Sequence, residues 1–132
     1  MISQIEVRLR YPGEEIPAEL MTGLEAFAIV EDWQWLVIHE NKIVAQILTA
    51  PAHGLLVFLR MMSLAEAPPL WMLLALRRIL ADARERGLFG YVALLEDFRP
   101  SEAKLMRLAQ RSTGMLRAFS GAIAFGSTEV KY

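Results

Sequence analysis

Residues 70–95 read LWMLLALRRILADARERGLFGYVALL, and this stretch decides the fold. Met72, Leu73, Leu76, Ile79, Leu80 and Ala83 recur at three- and four-residue spacing and share roughly 100° of one helical face, which predicts a long amphipathic helix ending at Arg86. Gly87 stands where the residue after a helix takes a left-handed backbone. Leu88 to Leu95 is an uncharged apolar run, the composition of a buried strand. A helix feeding into such a strand implies a sheet with parallel pairing. Leu70, Trp71 and Leu74 fall off the apolar face, so the helix start is apolar all round. That is the mark of a neighbouring wall of core or of an exposed contact.

Working upstream, Leu55 to Met61 is another strand candidate, preceded by a turn over Pro51 to Gly54. Trp33 to His39 and Ile43 to Thr49 are two apolar runs parted by Glu40-Asn41-Lys42, the signature of a hairpin. Alternation puts Trp33 and Trp35 on one strand face, as core or interface. Ile5, Val7 and Leu9 alternate with Glu6, Arg8 and Arg10, a half-buried strand stopped by Tyr11-Pro12-Gly13. Pro17 opens a short helix carrying Leu20, Met21, Leu24 and Phe27. Downstream, Ser101 can N-cap a helix running to about Arg111. Met115 to Thr128 holds two short strands divided near Ser120-Gly121. The order β, α, ββ, β, long α, β, α, β(β) predicts an α/β (α+β) fold. Its central sheet is mixed and partly antiparallel, crossed by the long helix, in one domain over residues 1–132.

Apolar residues make up 55% of the 132, and about 59% when Gly is counted and Tyr is not, against roughly 45–50% for a soluble domain. Such a chain can offset its ordering entropy by burial, which excludes intrinsic disorder. The surplus predicts a homo-oligomer or a protein partner. The net charge of −1 argues against a nucleic-acid or membrane binder. Charge is uneven, with a net of −5 over residues 1–66 and +4 over 67–132. There is no Cys, hence no thiolate chemistry and no disulfide, which suits a reducing, cytoplasmic setting. The opening residues lack the basic start and apolar core of a signal peptide, and no uncharged stretch is long and unbroken enough to span a bilayer. His39 and His53 have no metal-ligand spacing, so no metal site is expected. No G-x-S-x-G nucleophile elbow occurs.

The element order, together with NKIVAQILTA (41–50), LLVFLRMMSL (55–64) and the long helix with its following strand, resembles the GNAT superfamily of N-acetyltransferases over nearly the whole chain. The resemblance implies that fold, acetyl-CoA as cofactor, and acyl transfer to an amine. In the family, a loop reading Q/R-x-x-G-x-G/A precedes the central helix, and its N–H groups hold the cofactor pyrophosphate. Counting back from Gly87 places Ala67-Pro68-Pro69-Leu70-Trp71-Met72 on that loop. Leu70 and Met72 replace the glycines, and two prolines remove donors. The family's general acid, a Tyr on the helix after the fifth strand, falls on Arg107. Glu96, at the end of the fifth strand, is the carboxylate the resemblance offers as a base. Cofactor contacts then rest on Met61, Met62, Ser63 and Leu64, and on the helix start at Leu70 and Trp71. These departures lead to the expectation of a GNAT-like protein, in effect a pseudoenzyme, with weak or lost acetyl-CoA-dependent transfer. The alternative is a non-catalytic binding or assembly module. Small GNAT-like proteins also occur among tailed-phage genes, so a virion-associated role follows from the resemblance too.

Overall fold

The computed structural model describes residues 4–21, 33–94, 101–105, 117–119 and 123–128. The strands are β1 (Ile5–Leu9), β2 (Gln34–His39), β3 (Lys42–Ala52), β4 (Leu55–Ser63), β5 (Gly90–Leu94), β6 (Arg117–Phe119) and β7 (Ile123–Ser127), and the helices α1 (Ala18–Met21) and α2 (Trp71–Glu85). They build one sheet in the order β1-β2-β3-β4-β5-β7-β6. Every neighbouring pair is antiparallel except β4–β5, and α2 is the crossover that this parallel pair requires. Parallel pairing is thus narrower than the helix–strand alternation implies, because β7 returns beside β5 in the opposite sense. Residues 101–105 are helical. The remainder of the helix expected to about Arg111, and the Leu24 and Phe27 positions, lie outside the described residues.

Two tight turns set the register of the antiparallel half. Glu40 (φ 52) and Asn41 (φ 63) join β2 to β3, while His53 (φ 53) and Gly54 (φ 80) join β3 to β4. Both central residues lie in the left-handed region, the geometry that matches the twist of a two-residue hairpin. The second turn is shorter than the expected Pro51 to Gly54, since β3 continues through Pro51, which pairs with Leu56. Among the described residues, pairing with β2 ends at Leu48, so the proline sits where β3 is paired on one side only and its missing N–H costs no ladder bond there.

α2 packs Trp71, Met72, Ala75, Leu76, Ile79, Leu80 and Ala83 onto the sheet. Trp71 is 2% exposed and belongs to the core, so the first turn is apolar because it meets a wall of core. The buried arc is centred one column away from the expected face: Ala75 lies under the helix, and Leu73 is only half-buried. Leu70 is the residue before the helix and is 61% exposed. At the other end, Gly87 (φ 90) permits Leu88 N–H to reach Ala83 O (2.9 Å) and Gly87 N–H to reach Arg84 O (3.0 Å). Those two bonds satisfy the last carbonyls of the helix. Leu88 is spent on this cap and Phe89 N–H on Gly54 O, so β5 begins at Gly90 rather than at Leu88.

Beneath α2 the core runs through Trp35, Ile47, Phe58 and Tyr91. The last two meet edge to face at 5.8 Å. Trp33, just before β2, packs against the same core, with the Arg86 guanidinium 4.1 Å above its ring.

Candidate functional site

β4 carries one residue more than β3 can pair. Leu48 stands opposite Arg60 and Thr49 opposite Phe58, which leaves Leu59 as a bulge. A bulge bends its strand and raises the local twist. Among the described residues, the last pair of the parallel ladder with β5 is Phe58 with Ala93. From Leu59 to Ser63, β4 keeps β3 on one side and has no strand pairing on the other among the described residues. This end of β4 runs into the loop that leads into α2.

The bulge also changes which side chains face α2. Met61 and Ser63 lie opposite Ile47 and Ala45 on the α2 side, whereas Arg60 and Met62 lie opposite Leu48 and Gln46 on the other face. Arg60, although a cation, is 5% exposed, and its Nη2 donates to Leu20 O of α1 at 3.1 Å. The Ser63 hydroxyl donates to the Glu102 carboxylate at 2.9 Å, and the Ser101 hydroxyl donates to the same carboxylate at 3.1 Å. Glu102 is 1% exposed, so a buried carboxylate clamps the helical residues 101–105 to the end of β4. Ser101 lies within the helix instead of preceding it. Gln46, 1% exposed, has neither its Oε1 nor its Nε2 hydrogen-bonded.

The loop after β4 folds on itself. Leu64 N–H extends the ladder to Val44 O (2.8 Å), Ala67 N–H closes a turn onto Leu64 O (3.1 Å), and Trp71 N–H closes a second onto Pro68 O (3.0 Å). Pro68 and Pro69 have no N–H. α2 has no side-chain cap at its start and no acidic residue in its first turn. On the outer side of the β4 end, a cleft of about 540 Å³ is lined by Glu15, Glu19, Lys42, Ile43, Leu64 and Glu66 among others. Lys42 lies 3.7 Å from Glu66, and the remaining carboxylates give this cleft an acidic rim.

The residues singled out from sequence therefore separate. Met61 and Trp71 are core, so a ligand would meet them through main chain alone. Met62, Ser63 and Leu64 are half-buried at the end of β4, and Leu70 is exposed just before α2. Glu96 lies outside the described residues, as does Arg107. Sequence reasoning missed Glu102, Arg60 and Gln46. The last two leave a trace, each a lone polar residue in an apolar strand run. Glu102 leaves none, because its burial depends on a distant strand. Among the described residues no group of three or more His, Asp or Glu could hold a metal ion, and no helix is long and apolar enough to cross a membrane.

This architecture is that of the GNAT acetyltransferases. The ribosomal-protein-S18-alanine N-acetyltransferase of Escherichia coli superposes with a TM-score of 0.62 at 12% identity, over 96% of this chain and 95% of that one. A GNAT-family acetyltransferase from Staphylococcus aureus Mu50 gives 0.56 at 11% identity, over 73% and 67%. A Bacillus subtilis acetyltransferase in complex with CoA gives 0.57 at 9% identity, over 96% and 99%. No protein-family model matches the sequence, and no curated protein matches it. The chain has a GNAT-like fold, a mixed sheet with a central crossover helix.

Proposed function

We propose that the protein is an N-acetyltransferase-like chain of GNAT fold in which acetyl-CoA-dependent acyl transfer to an amine is weak or lost. One observation carries this reading. The loop that would cradle the diphosphate spends the N–H groups of Ala67 and Trp71 on its own carbonyls and has prolines at 68 and 69. A diphosphate needs several convergent donors within close reach of glycine-like backbone, and this loop does not fit it. For residual transfer, the acidic cleft beside Leu64 suits a cationic amine as acceptor.

The second reading, a non-catalytic binding or assembly module, draws on Leu70. A leucine 61% exposed at the mouth of the cofactor loop is an apolar contact point for a second copy or a protein partner.

Acetyl-CoA titration by calorimetry, with thiol release measured over a panel of amines, tests the main reading. The expected result is binding no tighter than near-millimolar and no turnover above the uncatalysed rate. Saturable micromolar binding with thiol release overturns it. Light scattering on the wild type and Leu70→Glu tests the second reading, which requires an assembly that the variant dissociates.

A further inference from the structure

The sheet ends on β1, which pairs with β2 on one side and, among the described residues, with no strand on the other. Edge strands are commonly blunted by a proline, a lysine or a bulge, and Ile5–Leu9 contains none of these. Arg10 N–H donates to Gln34 O at 2.9 Å, so the alternation of an antiparallel ladder turns the main chain of Arg8 and Glu6 toward β2. Ile5, Val7 and Leu9 therefore direct their N–H and C=O groups outward. Of these, Leu9 O accepts the Arg8 Nη1 at 3.2 Å and keeps a second lone pair.

This edge is self-complementary about Val7. An antiparallel copy centred there sets Val7 opposite Val7 and Ile5 opposite Leu9 in hydrogen-bonded pairs. All three residues pack half-buried against the core on the α2 face. Glu6 then stands opposite Arg8 of the copy, and Arg8 opposite its Glu6, at the non-hydrogen-bonded pairs where side chains approach most closely. Sliding the copy by two residues centres the pairing on Glu6 or on Arg8 and sets like charges face to face, which is destabilising. A slip by one residue sets apolar positions against charged ones.

We infer that β1 is the two-fold interface of a homodimer, two copies joining edge to edge into one continuous sheet with both α2 helices on the same face. The inference goes beyond the acyl-transfer reading and stands whether or not transfer is retained. A five-residue edge is smaller than a standard interface, so the dimer is concentration-dependent.

Sedimentation equilibrium of the full chain, from about 1 μM to about 1 mM, tests it. The mass is expected to rise with concentration from 14.9 kDa toward twice that value. Val7→Pro removes the outward N–H at the centre of the interface and no bond to β2, a position where an edge strand tolerates proline. With native circular dichroism retained, it is expected to weaken the dimer by at least about tenfold. Glu6→Lys sets a cation opposite Arg8 of the copy and is expected to weaken it by a similar factor. The Glu6 side chain is 60% exposed, so this change leaves the monomer folded and decides alone where Val7→Pro fails to fold. Leu70→Glu is expected to leave this dimer unchanged, which separates it from an assembly through the loop before α2. A monomer at every concentration overturns the inference, as does a dimer that Glu6→Lys and a folded Val7→Pro both leave at full strength. Dissociation by Leu70→Glu alone also overturns it, in favour of the other surface.

Discussion

Arg8 and Glu14 meet in a two-pronged ion pair, Nη1 to Oε1 at 2.8 Å and Nη2 to Oε2 at 2.7 Å. Glu14 also accepts the Tyr11 N–H, and its carbonyl takes two bonds from Arg10. One residue thus holds the chain leaving β1 in the path that leads to α1. The Arg8 hydrogen bond brings the Glu14 carboxyl down from an ordinary 4.5 to about 2. A carboxylate lowered on folding contributes stability that is present above its unfolded value and lost as pH falls through the folded one. The window is therefore from about pH 4.5 down to about pH 2. Water screens this surface pair, so the contribution is on the order of 1 kcal/mol. Glu14→Gln should flatten the pH dependence of Tm across that window and leave Tm lowered at neutral pH. An unchanged acid limb would remove the pair from the account. Gln46 is the opposite case, a buried amide with no partner, where the lost hydration is not returned.

At the scale of elements, α2 and its cap give a cleaner test. A Cβ placed on Gly87 meets nothing within 4 Å, so substitution there costs only the left-handed backbone at φ +90. Gly87→Ala is expected to lower stability by about 1 kcal/mol in chemical denaturation, with Gly87→Asn losing less because Asn tolerates that region better. Equal losses for both would place the penalty in packing instead. The β4 bulge has a different effect. By inserting Leu59, it reverses the in–out alternation for the rest of the strand, which buries Arg60 under α1 and turns Ser63 toward Glu102. One extra residue thus sets which side chains line each face at the end of β4.

For the whole molecule, the sheet and α2 share a single core, and Trp71 is its largest contribution from the helix start. Trp71→Ala should cost on the order of 3–5 kcal/mol, a large part of a small domain's total stability. The expected outcome is a lower denaturation midpoint at an unchanged slope, without a change in oligomeric state. Loss of association at unchanged stability would instead make Trp71 a surface contact. The long helix, the hairpin and the succession of strands are legible in residues 5–9, 33–49 and 70–95, because periodicity and turn chemistry are local properties of the chain. The two prolines of the segment before α2, Ala67–Met72, are legible for the same reason. The bulge at Leu59, the inward turn of Trp71, the burial of Arg60 and the Ser63–Glu102 clamp are not. Each depends on which residue of a distant strand stands opposite, a choice made by register and packing, and a shift of one residue exchanges the two faces of a strand. By itself, then, the sequence determined the order of elements and the two positions without an N–H before α2. Tertiary structure alone decided which β4 side chains face α2 and which face α1, because only the paired sheet fixes the register after the bulge.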